Sequence, residues 1–292
     1  MSALVSIITV NYKQAQVTCE LLESIGKLAY NALEVIVVDN GQSGDDTSLY
    51  QSVLPNVRVI NSSENIGFAG GNNLGIQAAT GEFLFLVNND TELDNGLIES
   101  LLTHFEDDHV GAVSPILKYY DHPDQIQFAG FTEINPITGR NELVRKAKSS
   151  YPYCTPYFHG AAVMLRRSVV DQCGLMPEEF FLYYEELEWS RIIRSHGFEL
   201  LVDPTVHVLH KESISTGKNS PLKLYYQTRN RLHFMRRNGF KNWTLFMLFF
   251  MFLSTPKQLV RSLLSREWAH LSAFSKAWTD GLLHKRFGFR PL

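Results

Sequence analysis

Residues 65–92 read N-I-G-F-A-G-G-N-N-L-G-I-Q-A-A-T-G-E-F-L-F-L-V-N-N-D-T-E, and this stretch limits the fold more than any other. A glycine-rich turn opens a helix of small residues, Gly81 ends it, and the apolar run from Glu82 to Val87 stops at Asn88, Asn89 and Asp90. A short unbroken apolar run bounded by turn residues predicts a strand buried on both faces. Such a strand carries a carboxylate to its C-terminal tip, where open α/β sheets bind their ligands.

The N-terminal part repeats this arrangement. Leu4 to Val10 and Leu33 to Val38 predict buried strands, and Gln14 to Leu28 a helix with Val17, Leu21, Leu22 and Ile25 on one side. Strand, helix and strand at this spacing make a βαβ unit. Helices are predicted over 46–53, 68–80 and 96–107, and strands over 57–60 and 110–117. Gly67, Gly70, Gly71 and Gly75 do not form a G-x-G-x-x-G turn after the first strand, which disfavours a dinucleotide site. The expected class is α/β, a mostly parallel central sheet flanked by helices. Residues 1–118 read as a nucleotide-binding-like α/β half, 119–237 as the second half of the same domain, and 238–292 as a helical extension.

Residues 119–158 change character. Ile126 to Ile134, with the turn Asn135-Pro136-Ile137-Thr138-Gly139, predicts a hairpin, and an irregular insert on a rigid scaffold is where acceptor contacts are expected. A strand over 159–166, a helix over 167–173 and a helix from Glu186 to Ser195 follow. Extended pieces at 199–202 and 205–209 then lead to His210. Pro221 to Arg237 is a basic helix, and Trp243 to Leu253 carries no charge over eleven residues. That is short of the roughly 20 residues a bilayer span needs, and Pro256 is expected to end the run. Lys257, Arg261, Arg266 and Trp268 continue as a basic helix with an apolar face, the pattern of a segment lying on an anionic membrane surface. The alternative is packing on the core or on a second subunit in a homo-oligomer.

A net charge of −3 over 292 residues, without a nucleic-acid recognition module, excludes nucleic acid from the expected partners. The N-terminus lacks the charged start of a signal peptide, and Cys19, Cys154 and Cys173 have no framework spacing. Of the N-x-S/T tripeptides, the one at Asn89 falls inside the candidate site, where a glycan is incompatible with function. The expected location is the cytoplasm, at the inner face of the cell membrane.

Asp39, Asp90, Glu185, Glu186 and His210 each stand at or just beyond the end of an apolar element. Any one alone is most often a cap or a solvated group; their recurrence at strand ends is the informative feature. Asp90 and His210 offer a carboxylate and an imidazole to Mg²⁺ or Mn²⁺, with substrate phosphates as further ligands. Glu186 is the candidate base for a hydroxyl nucleophile, in an aromatic setting where partial burial raises a carboxyl pKa. A nucleotidyltransferase shares such a layout, but no glycine- and lysine-rich N-terminal loop is present.

V-S-I-I-T-V-N-Y at 5–12, V-V-D-N-G-Q-S-G-D at 37–45 and E-N-I-G-F-A-G-G-N-N-L-G-I at 64–76 carry a resemblance. So do F-L-V-N-N-D-T-E at 85–92, F-H-G-A-A-V-M-L-R-R at 158–167, F-F-L-Y-Y-E-E-L-E-W-S-R at 180–191 and H-K-E-S-I-S-T at 210–216. Together they resemble the inverting family 2 glycosyltransferases, in the rhamnosyltransferase and galactofuranosyltransferase branch that builds bacterial surface polysaccharides. The resemblance implies a GT-A fold with 119–237 as its acceptor-binding and catalytic half, a divalent cation, a dTDP- or UDP-sugar donor, dTDP-rhamnose before UDP-galactofuranose, UDP-galactose, UDP-glucose or a UDP-N-acetylhexosamine, and a glycan or lipid-linked acceptor. It places Asp39 at the nucleobase with Thr9, Asn11 and Tyr12 beside it. Asn65, Gly67, Gly71, Asn72, Asn88, Asn89 and Arg166 are expected along the donor, with Arg229 as a further phosphate contact. Asp90 matches the last acid of the metal-binding D-x-D motif, His210 its completing histidine, and Glu186 the catalytic base, with Glu185 before it. Asn88 replaces the first acid of D-x-D, and E-E stands where the family has E-D. An inactive nucleotide-sugar-binding module would share these departures.

Overall fold

The computed structural model describes residues 2–41, 46–211, 219–239 and 242–283. Gln42 to Asp45 and the 212–216 part of the last motif lie outside the described residues. The chain divides into two units, one of Met1–Thr132, Leu143–Glu178 and Glu186–Ser215, the other of Glu133–Glu142, Glu179–Glu185 and Thr216–Leu292.

In the first unit the chain runs through β1 (Val5–Asn11), α1 (Ala15–Ile25), β2 (Leu33–Asn40), α2 (Thr47–Val53), β3 (Arg58–Ser62), α3 (Gly67–Ala78), β4 (Phe83–Val87) and β5 (Thr91–Glu92). It continues with α4 (Leu97–Thr103), β6 (Val110–Tyr119), β7 (Ile126–Phe128), β8 (Tyr153–Cys154), β9 (Ala162–Arg166), α5 (Arg167–Cys173), α6 (Glu185–Ser195) and β10 (Glu199–His210). All ten strands join one sheet in the order β3-β2-β1-β4-β9-β6-β10-β5, with β7 on β6 and β8 on β10. β1 runs parallel to β2 and β4, and β10 parallel to β6. β9 lies antiparallel to both β4 and β6, so two reversals cancel and β10 ends at the same edge as β1, β2 and β4.

The core explains the apolar runs. Ile8, Ile36, Val38, Leu84, Leu86, Val163 and Leu165 are buried in one cluster with Phe158 and Trp189. α3 packs so closely on the sheet that a Cβ at Gly75 would come within 2.3 Å of Ile8 Cγ2, and one at Gly71 within 2.8 Å of Val10 Cγ1. The glycines of this helix therefore answer first to the sheet beneath it.

Two expectations for the sheet change. The extended pieces on either side of Pro204 are one strand, β10, which slips register between Asp203 and His207 because proline lacks a donor for the ladder. β7 pairs with β6, while the insert closes through single bridges at Phe131–Leu143 and Asn135–Arg140, so the predicted hairpin is shorter than its sequence pattern.

The second unit holds α7 (Pro221–Arg237), α8 (Trp243–Phe249), α9 (Thr255–Leu264) and α10 (Trp268–Leu283). Ser220 caps α7 by accepting from the Lys223 N–H at 3.1 Å, with Pro221 in the first turn. α10 lies on α7, where Gly281 faces Leu232 and the Tyr225 hydroxyl donates to Asp280 at 2.7 Å. Pro256 does not end the apolar run: Trp243–Leu264 is continuous over 22 residues, long and apolar enough to cross a membrane. A π-helical turn at Phe250–Ser254 just precedes Pro256, the kind of local adjustment that lets a helix continue through the N–H a proline lacks.

Phe181, Tyr183 and Tyr184 adopt φ of 67°, 67° and 75°, a left-handed conformation that aromatic residues disfavour. Asn230 of α7 holds this stretch, its Nδ2 donating to the carbonyls of Phe180, Leu182 and Tyr183 at 2.9, 2.8 and 2.7 Å. The Arg229 guanidinium donates to Asn230 Oδ1 at 2.6 Å and to the Glu179 carbonyl at 3.0 Å, so it helps to hold the same stretch.

Candidate active site

The sheet edge formed by the ends of β1, β2, β4 and β10 gathers most of the expected residues. Asn11 and Asp39 are register partners at the ends of β1 and β2, and Asn11 Nδ2 donates to Asp39 Oδ1 at 3.1 Å. Asn11 Oδ1 accepts from the Gln14 N–H and from Thr18 Oγ1, which fixes the amide that meets Asp39. Asn89 Nδ2 donates to Thr18 Oγ1 at 3.1 Å and so joins the same network. Thr9, two residues earlier on β1, is fully buried. Tyr12 is half-buried just past the strand.

The glycine-rich turn is organised by amides. Asn40 Oδ1 accepts from the Ile66 N–H, and Asn40 Nδ2 donates to the Gly67 carbonyl at 2.9 Å. Asn65 Oδ1 accepts from the Gly67 N–H, where φ of +84° requires glycine. Asn72 donates to the Phe68 carbonyl within its own helix, and Gly71 faces Val10. Asn65 and Gly67 therefore shape the turn, whereas Gly71 and Asn72 serve helix packing.

β5 turns back to pair with the end of β10, with Thr91 opposite His210, and this pairing brings Asp90 Oδ1 to 3.2 Å from His210 Nε2. Both residues are buried, and neither atom has a hydrogen-bond partner of good geometry. His210 Nδ1 faces Gln127 Oε1 at 2.8 Å. With the amide oxygen accepting from Nδ1–H, Nε2 is the ring nitrogen turned toward the carboxylate. A carboxylate oxygen and an imidazole nitrogen converging in this way fit a shared cation. Their spacing is close to the roughly 3 Å between adjacent ligands of an octahedral ion with bonds of about 2.1 Å. Among the described residues no group of three or more His, Cys, Asp or Glu could hold a metal, so the remaining ligands would come from substrate and water. Asn88 donates its backbone N–H to the Ala161 carbonyl and accepts from Thr91 Oγ1, which keeps Asp90 on a tight turn.

β9 runs antiparallel to β4, so the residues before it reach the same edge. Gly160 stands there against Phe68, with Glu186 Cβ 3.9 Å from where a Gly160 Cβ would be. Glu186 is half-buried in the first turn of α6. Trp189 anchors that helix, fully buried, edge-on to Phe158 and donating to the Gly174 carbonyl at 2.9 Å. Glu185 is buried at the start of the same helix.

Arg166 is not brought to this edge. It pairs with Phe83 at the start of β4, whereas Ala162 pairs with Val87 at its end, about 13 Å away at strand spacing. Its guanidinium donates to the Phe105 carbonyl, pairs with Asp108 at 3.2 Å and lies over Phe83 and Phe105.

Two residues of the site stand outside the pattern of acids and histidine at strand ends. Gln127 lies in the irregular insert, and nothing in its neighbourhood ties it to a histidine 83 residues later. His159 stacks on Phe131 and stands edge-on to His210 at 6.2 Å. Burial and the neighbouring His210 outweigh the pull of Asp90 and push its imidazole pKa down to about 3, so it is neutral at physiological pH. Its place before glycine in F-H-G-A-A-V-M-L was the one available clue.

The sequence profile of "Glycosyl transferase family 2" matches residues 6–174. The chain is 26% identical over 239 residues to the low-salt glycan biosynthesis hexosyltransferase Agl10 of Haloferax volcanii, covering 77% of this chain and 73% of that one. It is 23% identical over 278 residues to the N-acetylglucosaminyl-diphospho-decaprenol L-rhamnosyltransferase of Mycobacterium tuberculosis, covering 84% and 90%. Among solved structures, the mannosyltransferase PcManGT from Pyrobaculum calidifontis, in complex with GDP-Man and Mn²⁺, superposes with a TM-score of 0.63 at 17% identity over 98% of this chain and 88% of that one.

Proposed function

Because the chain belongs to glycosyltransferase family 2 and has its GT-A fold, we propose that it is a metal-dependent inverting enzyme moving L-rhamnose from dTDP-rhamnose to a hydroxyl of a polysaccharide or lipid-linked glycan. The observation that carries this reading is the convergence of Asp90 and His210 on the sheet edge that also holds Asp39 and Glu186. The rhamnosyl activity of the mycobacterial relative supports the donor.

In this reading Asp39, fixed by Asn11, holds the nucleobase, and the turn at Asn65 and Gly67 borders the donor. A Mg²⁺ or Mn²⁺ ion held by Asp90 and His210 would neutralise charge on the departing diphosphate. Glu186 takes the proton of the acceptor hydroxyl as its oxygen bonds to the anomeric carbon. The bond from that carbon to the diphosphate breaks on the opposite side, and the configuration inverts. Glu185 tunes the base or contacts the acceptor. The exposed Trp243–Leu264 helix, with Lys257 and Arg261 beside its apolar side chains, rests on the cytoplasmic face of the membrane that carries a lipid-linked acceptor.

Incubation with a panel of dTDP-, UDP- and GDP-sugars, Mg²⁺ or Mn²⁺, and a lipid-linked acceptor tests the proposal. Release of dTDP matched by rhamnosyl product is the expected outcome. Transfer only from a UDP- or GDP-sugar would reject the donor, and absence of both transfer and nucleotide binding would reject the whole reading.

A further inference from the structure

His159 carries a hydrogen-bond donor that none of the steps above uses. It lies just ahead of β9, at the sheet edge that holds Asp90 and His210. Its ring is parallel to that of Phe131, the planes 2° apart, and stands edge-on to Phe128 at 5.2 Å and to His210 at 6.2 Å. A phenyl ring would meet all three contacts. What a histidine adds there is its two nitrogens.

One of them is accounted for within the chain. The Ala161 N–H donates to Nδ1 at 3.1 Å, so Nδ1 is the unprotonated nitrogen and the proton of the neutral ring stands on Nε2. The side chain is half-buried, and Nε2 has no hydrogen-bond partner among the described residues. An aromatic lining and a backbone amide thus fix the direction of an N–H to which the chain itself offers no acceptor.

Its position identifies what that N–H meets. In an in-line displacement the sugar lies between the cation on the departing diphosphate and the base on the acceptor hydroxyl. His159 stands in that interval. Its ring neighbours His210 on one side, and on the other a Cβ at Gly160, the next residue, would lie 3.9 Å from Glu186 Cβ. The diphosphate belongs to the Asp90 and His210 end and the acceptor to the Glu186 end, which leaves the sugar for the group between them. A neutral N–H suits a sugar hydroxyl, whose oxygen accepts a hydrogen bond without carrying charge.

We propose that His159 is a specificity-determining residue whose Nε2–H donates to a hydroxyl of the sugar being transferred. This rests on the glycosyltransferase reading given above and adds to it a side chain that reads the sugar itself.

Calorimetric titration of the full chain with dTDP and with dTDP-rhamnose, each with Mn²⁺, separates the nucleotide from the sugar. His159→Asn keeps an acceptor for the Ala161 N–H, since asparagine bonds the backbone two residues on, but its amide is too short to reach the place of Nε2. His159→Gln does the reverse, carrying an amide N–H to about that place. The asparagine variant is expected to bind dTDP-rhamnose about tenfold more weakly than wild type and dTDP within about twofold, and the glutamine variant to recover much of the loss. Analogues of dTDP-rhamnose lacking the C2, C3 or C4 hydroxyl then locate the contact. One of them should lose about tenfold on wild type and nothing further on the asparagine variant. If His159 only builds the turn, glutamine will be the worse replacement and dTDP will weaken together with its sugar. Either of those results, or three analogues that all lose affinity independently of His159→Asn, overturns the proposal. Unchanged binding of dTDP-rhamnose by the asparagine variant rejects the role of His159 alone, whereas a wild type that binds neither ligand rejects the donor reading and this proposal together.

Discussion

His210 Nδ1 and Gln127 Oε1 face each other at 2.8 Å, and that contact decides which ring nitrogen is turned to Asp90. Orienting partners of this kind raise ligand basicity and hold the tautomer, and their loss typically costs about 10–100-fold in metal affinity. Gln127→Leu is therefore expected to raise the Mn²⁺ concentration needed for half-maximal transfer by about that factor, with nucleotide binding in the absence of metal unchanged. A metal titration of activity measures it. An unaltered Mn²⁺ requirement would remove His210 from the cation site.

Glu186→Gln keeps the size of the side chain and removes its capacity to accept a proton. General-base catalysis contributes about 10²–10⁴-fold, so kcat should fall by that order while the Kd for the nucleotide sugar stays within about twofold. Turnover near the wild-type level would assign the proton to another group, with Glu185 the next to test.

The close approach of α3 to β1 gives a third expectation. Gly75→Ala places a methyl 2.3 Å from Ile8 Cγ2, and either the Ile8 side chain or the helix must shift to admit it. Overpacking of this kind costs about 1–3 kcal/mol. Denaturant unfolding should show that loss, and isothermal titration should show little change in nucleotide affinity. Gly71→Ala, against Val10, should behave in the same way. A drop in nucleotide affinity without loss of stability would instead make these glycines part of the donor wall.

Asp203 adds a pH dependence. Burial alone would raise its carboxyl pKa, but hydrogen bonds from His104, Thr205 and Ser100 outweigh that and hold it well below the usual carboxylate range. A carboxyl whose folded pKa is depressed contributes stability above its unfolded pKa of about 3.9 and loses it as pH falls through the folded value. Asp203→Asn should accordingly be less stable than wild type by about 2 kcal/mol at pH 7, with the gap closing below about pH 4. A difference that stays constant from pH 7 to acid would show that the charge of Asp203 is immaterial.

The sheet and its helices were legible because buried strands are written as short unbroken apolar runs, and Asp39, Asp90 and His210 could be placed by standing at the ends of those runs. What stayed hidden depends on partners distant in the chain. Arg166 follows an apolar run as Asp90 does, but β9 is antiparallel, so the end of its run lies at the opposite edge from Asp90. Glycine spacing cannot separate a turn that meets a ligand from a helix that meets a sheet, and only the approach of Val10 and Ile8 reveals the second role. Pro256 read as a stop because the π-helical turn before it leaves no mark in composition.

The left-handed aromatic stretch ahead of the acidic pair has a consequence for biosynthesis. Its backbone carbonyls are tied by an amide that follows about fifty residues later, so the ribosome delivers Phe181 to Tyr184 well before the side chain that restrains them. Until α7 emerges, that stretch is free to relax into ordinary backbone conformations. Nascent chains stalled before residue 230 should therefore be cut readily between Phe180 and Glu185, and chains stalled beyond α7 should resist, which would make completion of this segment one of the last steps in the protein's maturation.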